Sequence, residues 1–139
     1  MAQTILLVED NQTDIDLTRR AFRKLANDYR LVVKDDGQDA LDYLLSAGNQ
    51  MPQLILLDLK MPRVGGLEVL AQIRKNVSTR RIPVVIMTSS AEECDITAAY
   101  DLGASSYICK PVDFSIFTET LQHLVSYWFD LNRLPPAGL

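Results

Sequence analysis

The chain has few of the residues that build most soft-metal and redox centres. Among 139 residues it contains two cysteines and one histidine. Cys94 and Cys109 form no CxxC pair and have no histidine cluster nearby in the sequence. This argues against a zinc site or a dithiol redox centre and predicts two reduced, structural thiols. His123 lies off the apolar face of its predicted helix, so we interpret it as a solvated side chain.

Long apolar runs and an excess of basic residues are also missing. No stretch approaches the ~18 apolar residues of a membrane span. Residues 1–10 contain no basic start followed by a signal-length apolar run, so we expect a cytoplasmic protein with no membrane partner. The net charge is -4, from 14 basic and 18 acidic residues. This balance does not favour nucleic acid as a partner.

No linker rich in proline, glycine or serine divides the chain. Its length is usual for one domain that buries its own core. We therefore predict a single domain over residues 1–139, with residues 132–139 as a C-terminal tail.

Short apolar runs alternate with segments of helical periodicity, which is typical of α/β proteins with a doubly wound parallel sheet. The apolar runs are residues 5–8, 31–33, 54–57, 84–87 and 107–109. Apolar residues at spacings of three and four predict helices that include Ile15 to Leu25, Ala40 to Leu45, Val69 to Ile73, Ile96 to Leu102 and Phe117 to Leu131. Pro135 and Pro136 are predicted to stop the last helix.

Polar residues follow four of the five predicted strands. Glu9 and Asp10 follow the first strand, Asp58 the third, Thr88 the fourth and Lys110 the fifth. Because parallel strands with right-handed crossovers all end at one edge of the sheet, where such folds bind ligands, we expect these side chains to converge there.

Carboxylates that meet at this edge need a compensating charge. At ~4 Å, two of them would repel by about 4 kcal/mol at an effective dielectric near 20. Oxygen ligands without histidine or cysteine suit Mg²⁺, which commonly binds one or two carboxylates and leaves room for phosphate oxygens. A cation shared by Asp10 and Asp58 requires the first strand to lie beside the third.

Four motifs carry a resemblance to a known family. The segments VEDN at 8–11, LLDLKMP at 56–62, MTSS at 87–90 and GASSYICKP at 103–111 together resemble the response-regulator receiver domain of two-component signalling. The similarity spans essentially the whole chain. It implies a flavodoxin-like fold with a five-stranded parallel sheet in the order 2-1-3-4-5.

The resemblance also implies an acceptor and a cation site. Asp58 would take a phosphoryl group from the phosphohistidine of a histidine kinase. Glu9 and Asp10 would hold Mg²⁺ together with Asp58, and the backbone carbonyl of Lys60 would complete the protein ligands. Phosphoryl transfer depends mainly on positioning and charge neutralisation, which such a site would supply.

Further roles follow from the same resemblance. Lys110 would contribute an ammonium group, and Thr88 would donate its hydroxyl to a phosphoryl oxygen. Tyr107 would be the switch aromatic, exchanging between exposed and buried rotamers. The peptide bond between Lys110 and Pro111 would be cis. The protein would then be a signalling switch rather than a turnover enzyme, limited to self-phosphotransfer and slow autodephosphorylation.

A finer resemblance links the two ends of the chain to the small regulators paired with bacterial phytochromes. The matching segments are LLVEDNQTDIDLTRRAF and SYWFDLNRLPP, and they imply a phytochrome kinase as the partner. Gly65 departs from the commoner receiver pattern, which has an aspartate there, but that position would cap a helix rather than contact phosphate. Tyr127, Phe129 and Leu131 extend the apolar surface of the last helix, which favours a homodimer.

Three alternatives remain open from the residues. A Mg²⁺-dependent aspartyl-phosphate phosphatase of the haloacid dehalogenase type would have an aspartate two residues after the nucleophile, where Lys60 stands, and a lid-sized insertion. A nucleotide- or flavin-binding protein would need a Gly- or Ser/Thr-rich loop after the first strand, where this chain has the acidic EDNQTD. A degenerate receiver would lack one of the required residues, all of which are present.

Overall fold

The computed structural model describes residues 3–25, 29–46, 48 and 50–136. Strands and helices alternate along the chain, as the sequence predicts. The elements are β1 (Gln3–Val8), α1 (Gln12–Arg23), β2 (Tyr29–Lys34), α2 (Gly37–Leu45), β3 (Leu54–Leu57), α3 (Gly66–Lys75), β4 (Val84–Thr88), α4 (Glu93–Asp101), β5 (Ser106–Cys109) and α5 (Phe114–Ser126). A π-helical turn, Tyr127–Leu131, extends α5.

The strands form one parallel sheet in the order β2-β1-β3-β4-β5. This confirms the predicted fold class, including the position of β1 between β2 and β3. Val8 is in register with Leu57, and Thr88 is in register with Cys109. The residues that follow these four positions are therefore brought to the same edge of the sheet.

Helices cover both faces of the sheet, which explains the continuous apolar strands. One core cluster contains buried residues of α2, α3 and α4, and the other contains buried residues of α1 and α5. Within β3 and β4, the residues from Leu54 to Leu57 and from Val84 to Ile86 have no exposed surface. This two-sided burial stabilises the central strands whose ends carry the polar residues.

Side-chain caps set where several helices begin. Asn11 accepts a hydrogen bond from the Asp14 backbone N–H at 3.0 Å, so α1 begins directly after the acidic pair at the end of β1. Asp36 caps α2 and Asp113 caps α5 in the same way. Gly65 is the N-cap residue of α3, as expected for the position where it replaces an aspartate, but it has no side chain to accept a hydrogen bond.

The C-terminal end of the last helix differs from the prediction. Leu124 is buried as expected, but Leu131, predicted to belong to the same apolar stripe, is 76% exposed. The reason is the π-helical turn, closed by a 2.7 Å hydrogen bond from the Asn132 N–H to the Tyr127 carbonyl. The wider turn shifts the following side chains off the stripe.

The last described residues, 132–136, have no regular secondary structure. Leu134 and Pro135 line a cavity of about 240 Å³ together with Met51 and Ile82, at the opposite end of the sheet from the polar edge. The predicted tail extends to residue 139, and residues 137–139 lie outside the described part. Among the described helices, none combines the length and the apolar composition needed to cross a bilayer. The single-domain boundary stays a prediction.

Candidate functional site

The backbone places Asp58 beside Glu9. The Asp58 N–H donates a 3.0 Å hydrogen bond to the Val8 carbonyl, which continues the β1–β3 ladder past the end of β3. Lys110 is placed in the same manner, because its N–H donates to the Thr88 carbonyl at 2.8 Å. The register of the strands thus fixes the backbone positions of four predicted site residues, Glu9, Asp58, Thr88 and Lys110.

Three carboxylates converge at this edge. Glu9, Asp10 and Asp58 each present an oxygen, and these oxygens lie within 4.8 Å of one another. Glu9 is 2% exposed and Asp58 6% exposed, whereas Asp10 is exposed. A donor set of carboxylate oxygens, partly buried and open to solvent on one side, fits a hard divalent cation such as Mg²⁺. These three residues are the ones expected to hold it.

The Lys110 ammonium lies among the carboxylates. Its Nζ is 2.5 Å from Glu9 Oε1, 2.8 Å from Asp14 Oδ2 and 3.3 Å from Asp58 Oδ2. Burial alone lowers the pKa of Lys110, but the hydrogen bonds to Asp14 and Glu9 and the Asp58 charge outweigh burial and raise this pKa above its ordinary value. Lys110 therefore stays positively charged at neutral pH.

Among these carboxylates, Glu9 has a raised pKa. Burial raises the pKa of Glu9 to about 7, although the hydrogen bond from Lys110 lowers it, and the Asp58 charge adds to the increase. The second Glu9 oxygen, Oε2, accepts a hydrogen bond from the Asn11 N–H at 3.1 Å. A bound cation would favour the ionised carboxylate by adding positive charge beside it.

Thr88 and Tyr107 lie on adjacent strands. The Thr88 hydroxyl is buried and has no hydrogen-bond partner among the described residues. It is a donor available at the end of β4, next to the strand that carries Asp58. The Tyr107 side chain is half-buried, and its hydroxyl donates a 2.9 Å hydrogen bond to the Ser90 carbonyl.

Lys60 contacts the site through its backbone and points its side chain elsewhere. Its N–H donates to Asp58 Oδ1 at 3.3 Å. Its Nζ lies 3.3 Å from Asp95 Oδ2, and Ser90 Oγ donates to the same oxygen at 2.5 Å. The Ser90 hydrogen bond holds the pKa of Asp95 below its ordinary range, and the Lys60 charge adds to this.

The predicted cis peptide bond before Pro111 is wrong for this structure. No peptide bond among the described residues is cis, so the Lys110–Pro111 bond is trans. The trans form is the intrinsically favoured isomer of an X–Pro bond. Lys110 Nζ reaches Glu9, Asp14 and Asp58 with this bond trans.

Two residues of the site were missed by sequence reasoning. Asp14 lies in the first turn of α1, and its only signal is that a helix capped at Asn11 brings this turn next to the acidic edge. Asp95 lies in the first turn of α4 and contacts Lys60 and Ser90. No sequence motif predicts either contact, because each depends on where a helix lies relative to a distant segment of the chain.

A second acidic group lies apart from the predicted site. Asp35, Asp36 and Asp39 also bring carboxylate oxygens within 4.8 Å of one another. Asp36 caps α2 and forms an ion pair with Arg63 at 3.2 Å. Helix capping and this ion pair account for the position of Asp36.

The fold and the acidic edge together define a class: doubly wound, flavodoxin-like α/β proteins with a carboxylate site at the carboxyl ends of the strands. The family description "Response regulator receiver domain" matches residues 5–122. The chain therefore belongs to the response-regulator receiver family, which confirms the resemblance drawn from the four motifs.

Individual relatives cover nearly the whole chain. The probable methanogenesis regulatory protein FilR2 of Methanothrix harundinacea is 41% identical over 134 residues, which are 94% of this chain and 86% of that protein. Response regulator Rcp1 of Synechocystis is 36% identical over 139 residues, 97% of this chain and 95% of that protein.

Solved structures agree with this assignment. The phosphorylated cyanobacterial phytochrome response regulator RcpA superposes with a TM-score of 0.93 at 36% identity, covering 98% of this chain and 100% of that chain. The Mn²⁺-bound form of Rcp1 has a TM-score of 0.89 at 36% identity, covering 96% of this chain and 99% of that chain.

Proposed function

We propose that this protein is a phosphoacceptor switch that takes a phosphoryl group from a histidine kinase on Asp58 in a Mg²⁺-dependent reaction. One observation carries the proposal: Asp58 is buried in one cluster with the carboxylates of Glu9 and Asp10, and the Lys110 ammonium lies 3.3 Å from its Oδ2. The family assignment supports the same role.

In the proposed reaction an Asp58 oxygen attacks phosphorus, a P–O bond forms, and the P–N bond to the donor histidine breaks. The electron pair of that bond leaves with the imidazole. The Lys60 N–H and Lys110 Nζ orient the two Asp58 oxygens by hydrogen bonds of 3.3 Å each. Mg²⁺, held by Glu9, Asp10 and Asp58 with the Lys60 carbonyl as a further expected ligand, would supply positive charge for the transferred group when bound.

The response to phosphorylation is proposed to begin at Thr88. Its hydroxyl has no partner among the described residues, so it can donate to a phosphoryl oxygen without losing another hydrogen bond. Tyr107 would then change its orientation and alter the surface formed by β5 and α4. The signal is this altered surface, so the protein would act by binding rather than by turnover.

The proposed donor is a histidine kinase of the phytochrome class, acting in the cytoplasm. The similar structures support a phytochrome-class donor, since RcpA is a cyanobacterial phytochrome response regulator. We also propose that a second copy of the chain binds at the C-terminal turn, where Tyr127 and Leu131 are 50% and 76% exposed.

The test of this function is phosphorylation by acetyl phosphate, followed by intact-protein mass spectrometry. We expect a gain of one phosphoryl group, about 80 Da, only when Mg²⁺ is present. Asp58→Ala should abolish the gain, whereas Asp39→Asn, in the second acidic group, should leave it unchanged. Uptake that survives in Asp58→Ala would show that the acceptor is a different residue.

The haloacid dehalogenase-type phosphatase gains no support from these findings. The residue two positions after Asp58 is Lys60, whose side chain pairs with Asp95. Steady Mg²⁺-dependent hydrolysis of small phosphomonoesters would be needed to restore that alternative.

A further inference from the structure

Asp95 connects three segments around Asp58. Its carboxylate binds the Lys60 ammonium from the segment after β3 and the Ser90 hydroxyl from the segment after β4. The carbonyl of the same Ser90 accepts the hydrogen bond of Tyr107 on β5. A continuous chain of polar contacts therefore runs from the residue two positions after Asp58 to the side chain of Tyr107.

The ion pair between Lys60 and Asp95 is weak enough for another anion to replace Asp95. The Lys60 side chain is 59% exposed and that of Asp95 is 19% exposed, and ion pairs as exposed as this one are weak. Asp95 also lies in the first turn of α4, where the helix dipole stabilises a negative charge without help from a lysine. A stronger anion near Lys60 can displace Asp95 at little cost to the helix.

Phosphorylation would create such an anion. The Lys60 backbone already donates to Asp58 Oδ1, so its flexible side chain starts beside the acceptor. A phosphoryl group carries close to two negative charges at neutral pH, by analogy with other phosphorylated side chains, and a lysine ammonium is a mobile partner for it.

We propose that Asp95 is a positioning residue: it holds Lys60 and Ser90 in the arrangement that orients Tyr107 while Asp58 is unmodified, and the phosphoryl group then takes its place as the partner of Lys60. The replacement of Asp95 by the phosphoryl group rests on the proposed function. The first half describes the unmodified protein and is tested without any phosphodonor.

The first experiment follows the ring of Tyr107 by NMR in protein with ¹³C-labelled tyrosine, assigned with Tyr107→Phe, without Mg²⁺ or acetyl phosphate. Asp95→Asn and Lys60→Gln should each raise the population of a second Tyr107 orientation by about two- to fivefold. The double variant should raise this population no more than either single variant does, because all three proteins lack the same ion pair.

Two variants serve as controls. Lys60→Arg keeps the charge and should behave as wild type. Glu93→Gln removes one negative charge from the same turn of α4, and Glu93 has no ion pair among the described residues, so it should also behave as wild type. Three outcomes would overturn the positioning role of Asp95. The Tyr107 signal could stay unchanged in both Asp95→Asn and Lys60→Gln, or the double variant could show the sum of their effects. Glu93→Gln could also change the signal as much as they do.

The second experiment adds Mg²⁺ and acetyl phosphate. The change of the Tyr107 signal should be smaller in Lys60→Gln than in wild type, because part of it has already occurred. An equal change in both would overturn the exchange of partners. If wild type takes up no phosphoryl group, the proposed function and the exchange both fail, while the first experiment still decides whether Asp95 positions Tyr107.

Discussion

At the scale of single residues, Thr88 combines burial with an unused hydrogen-bond donor. Its side chain has no exposed surface, and its hydroxyl has no partner among the described residues. A buried hydroxyl without a partner lowers stability relative to an apolar group of the same shape. Thr4 and Thr118 also have a buried hydroxyl without a partner among the described residues, so what distinguishes Thr88 is its position at the polar edge.

We therefore predict that Thr88→Val leaves the free energy of unfolding unchanged or raises it by about 1 kcal/mol. The same substitution should reduce the phosphorylation-induced change at Tyr107, because the methyl group cannot donate to a phosphoryl oxygen. The part of the change that follows the release of Lys60 from Asp95 should remain. Urea unfolding and the Tyr107 NMR signal measure the two effects. Thr88→Ser, which keeps the hydroxyl, should retain the change at Tyr107, and a loss of stability in Thr88→Val would contradict the prediction.

Lys110 is the only described cation within ion-pair distance of Glu9 and Asp58. Lys110→Gln should lower the free energy of unfolding by about 3 kcal/mol without Mg²⁺, because it leaves buried carboxylates without a compensating charge. Mg²⁺ should restore part of the loss by placing a cation among the same oxygens. Urea unfolding in EDTA and in Mg²⁺ measures both.

The matched control is Lys75→Gln, at an exposed lysine in the last turn of α3 with no ion pair among the described residues. It should change stability by less than about 0.5 kcal/mol in either buffer. Equal effects of the two substitutions would show that Lys110 does not compensate the site.

At the scale of elements, the start of α3 positions Asp58, the proposed acceptor. Gly66 is buried against the segment that carries Asp58: a Cβ at this residue would lie 2.2 Å from the Asp58 carbonyl oxygen and 2.7 Å from the Leu59 Cα. Both neighbours are backbone atoms, which cannot move aside as a flexible side chain can. The close approach explains why glycine stands at position 66, four residues after Pro62.

Gly66→Ala should lower the free energy of unfolding by about 1–3 kcal/mol and slow phosphorylation, because the segment after β3 must shift. Gly65→Ala is the paired control, since a Cβ there meets its nearest atom, the Leu59 carbonyl oxygen, at an ordinary 3.7 Å. Urea unfolding and the initial rate of acetyl phosphate uptake distinguish the two. A Gly66→Ala protein as stable and as reactive as Gly65→Ala would refute this account of α3.

At the scale of the whole molecule, the polar edge and the C-terminal turn are separate surfaces. The carboxylates lie at the ends of β1 and β3, whereas Tyr127 and Leu131 extend from the end of α5. Apolar side chains that form a contiguous exposed patch are typical of surfaces that contact another protein, and Tyr127 and Leu131 lie four positions apart in one turn. Self-association and phosphoryl uptake should therefore be separable by substitution.

Leu131→Asp should weaken self-association, seen as a lower average mass in sedimentation equilibrium, because it would place a charge in the core of the interface. Phosphoryl uptake should stay unchanged, since Asp58 is not contacted. Asp130→Asn changes an exposed residue in the same turn and should have little effect on mass. A monomeric wild type at high concentration would exclude the proposed dimer.

The sequence by itself determined the strands of a parallel sheet and the residues at its polar edge, and the family resemblance supplied the full strand order. Short apolar runs report burial on both faces, and the residue after each run must lie at the carboxyl edge of a parallel sheet. Glu9, Asp10, Asp58, Thr88 and Lys110 could be located in this way because each directly follows or ends a strand. The family motifs added chemical roles to positions already placed by periodicity.

Only the tertiary structure decided the partners of these residues. Asp14 meets Lys110 across 96 positions of the chain, and Lys60, in the segment after β3, meets Asp95 in the first turn of α4. The trans bond before Pro111 and the outward turn at Leu131 were likewise not readable from the sequence. The physical reason is that periodicity reports which face of an element is buried, whereas an ion pair or an isomer depends on the position of one element against another to within an ångström or two.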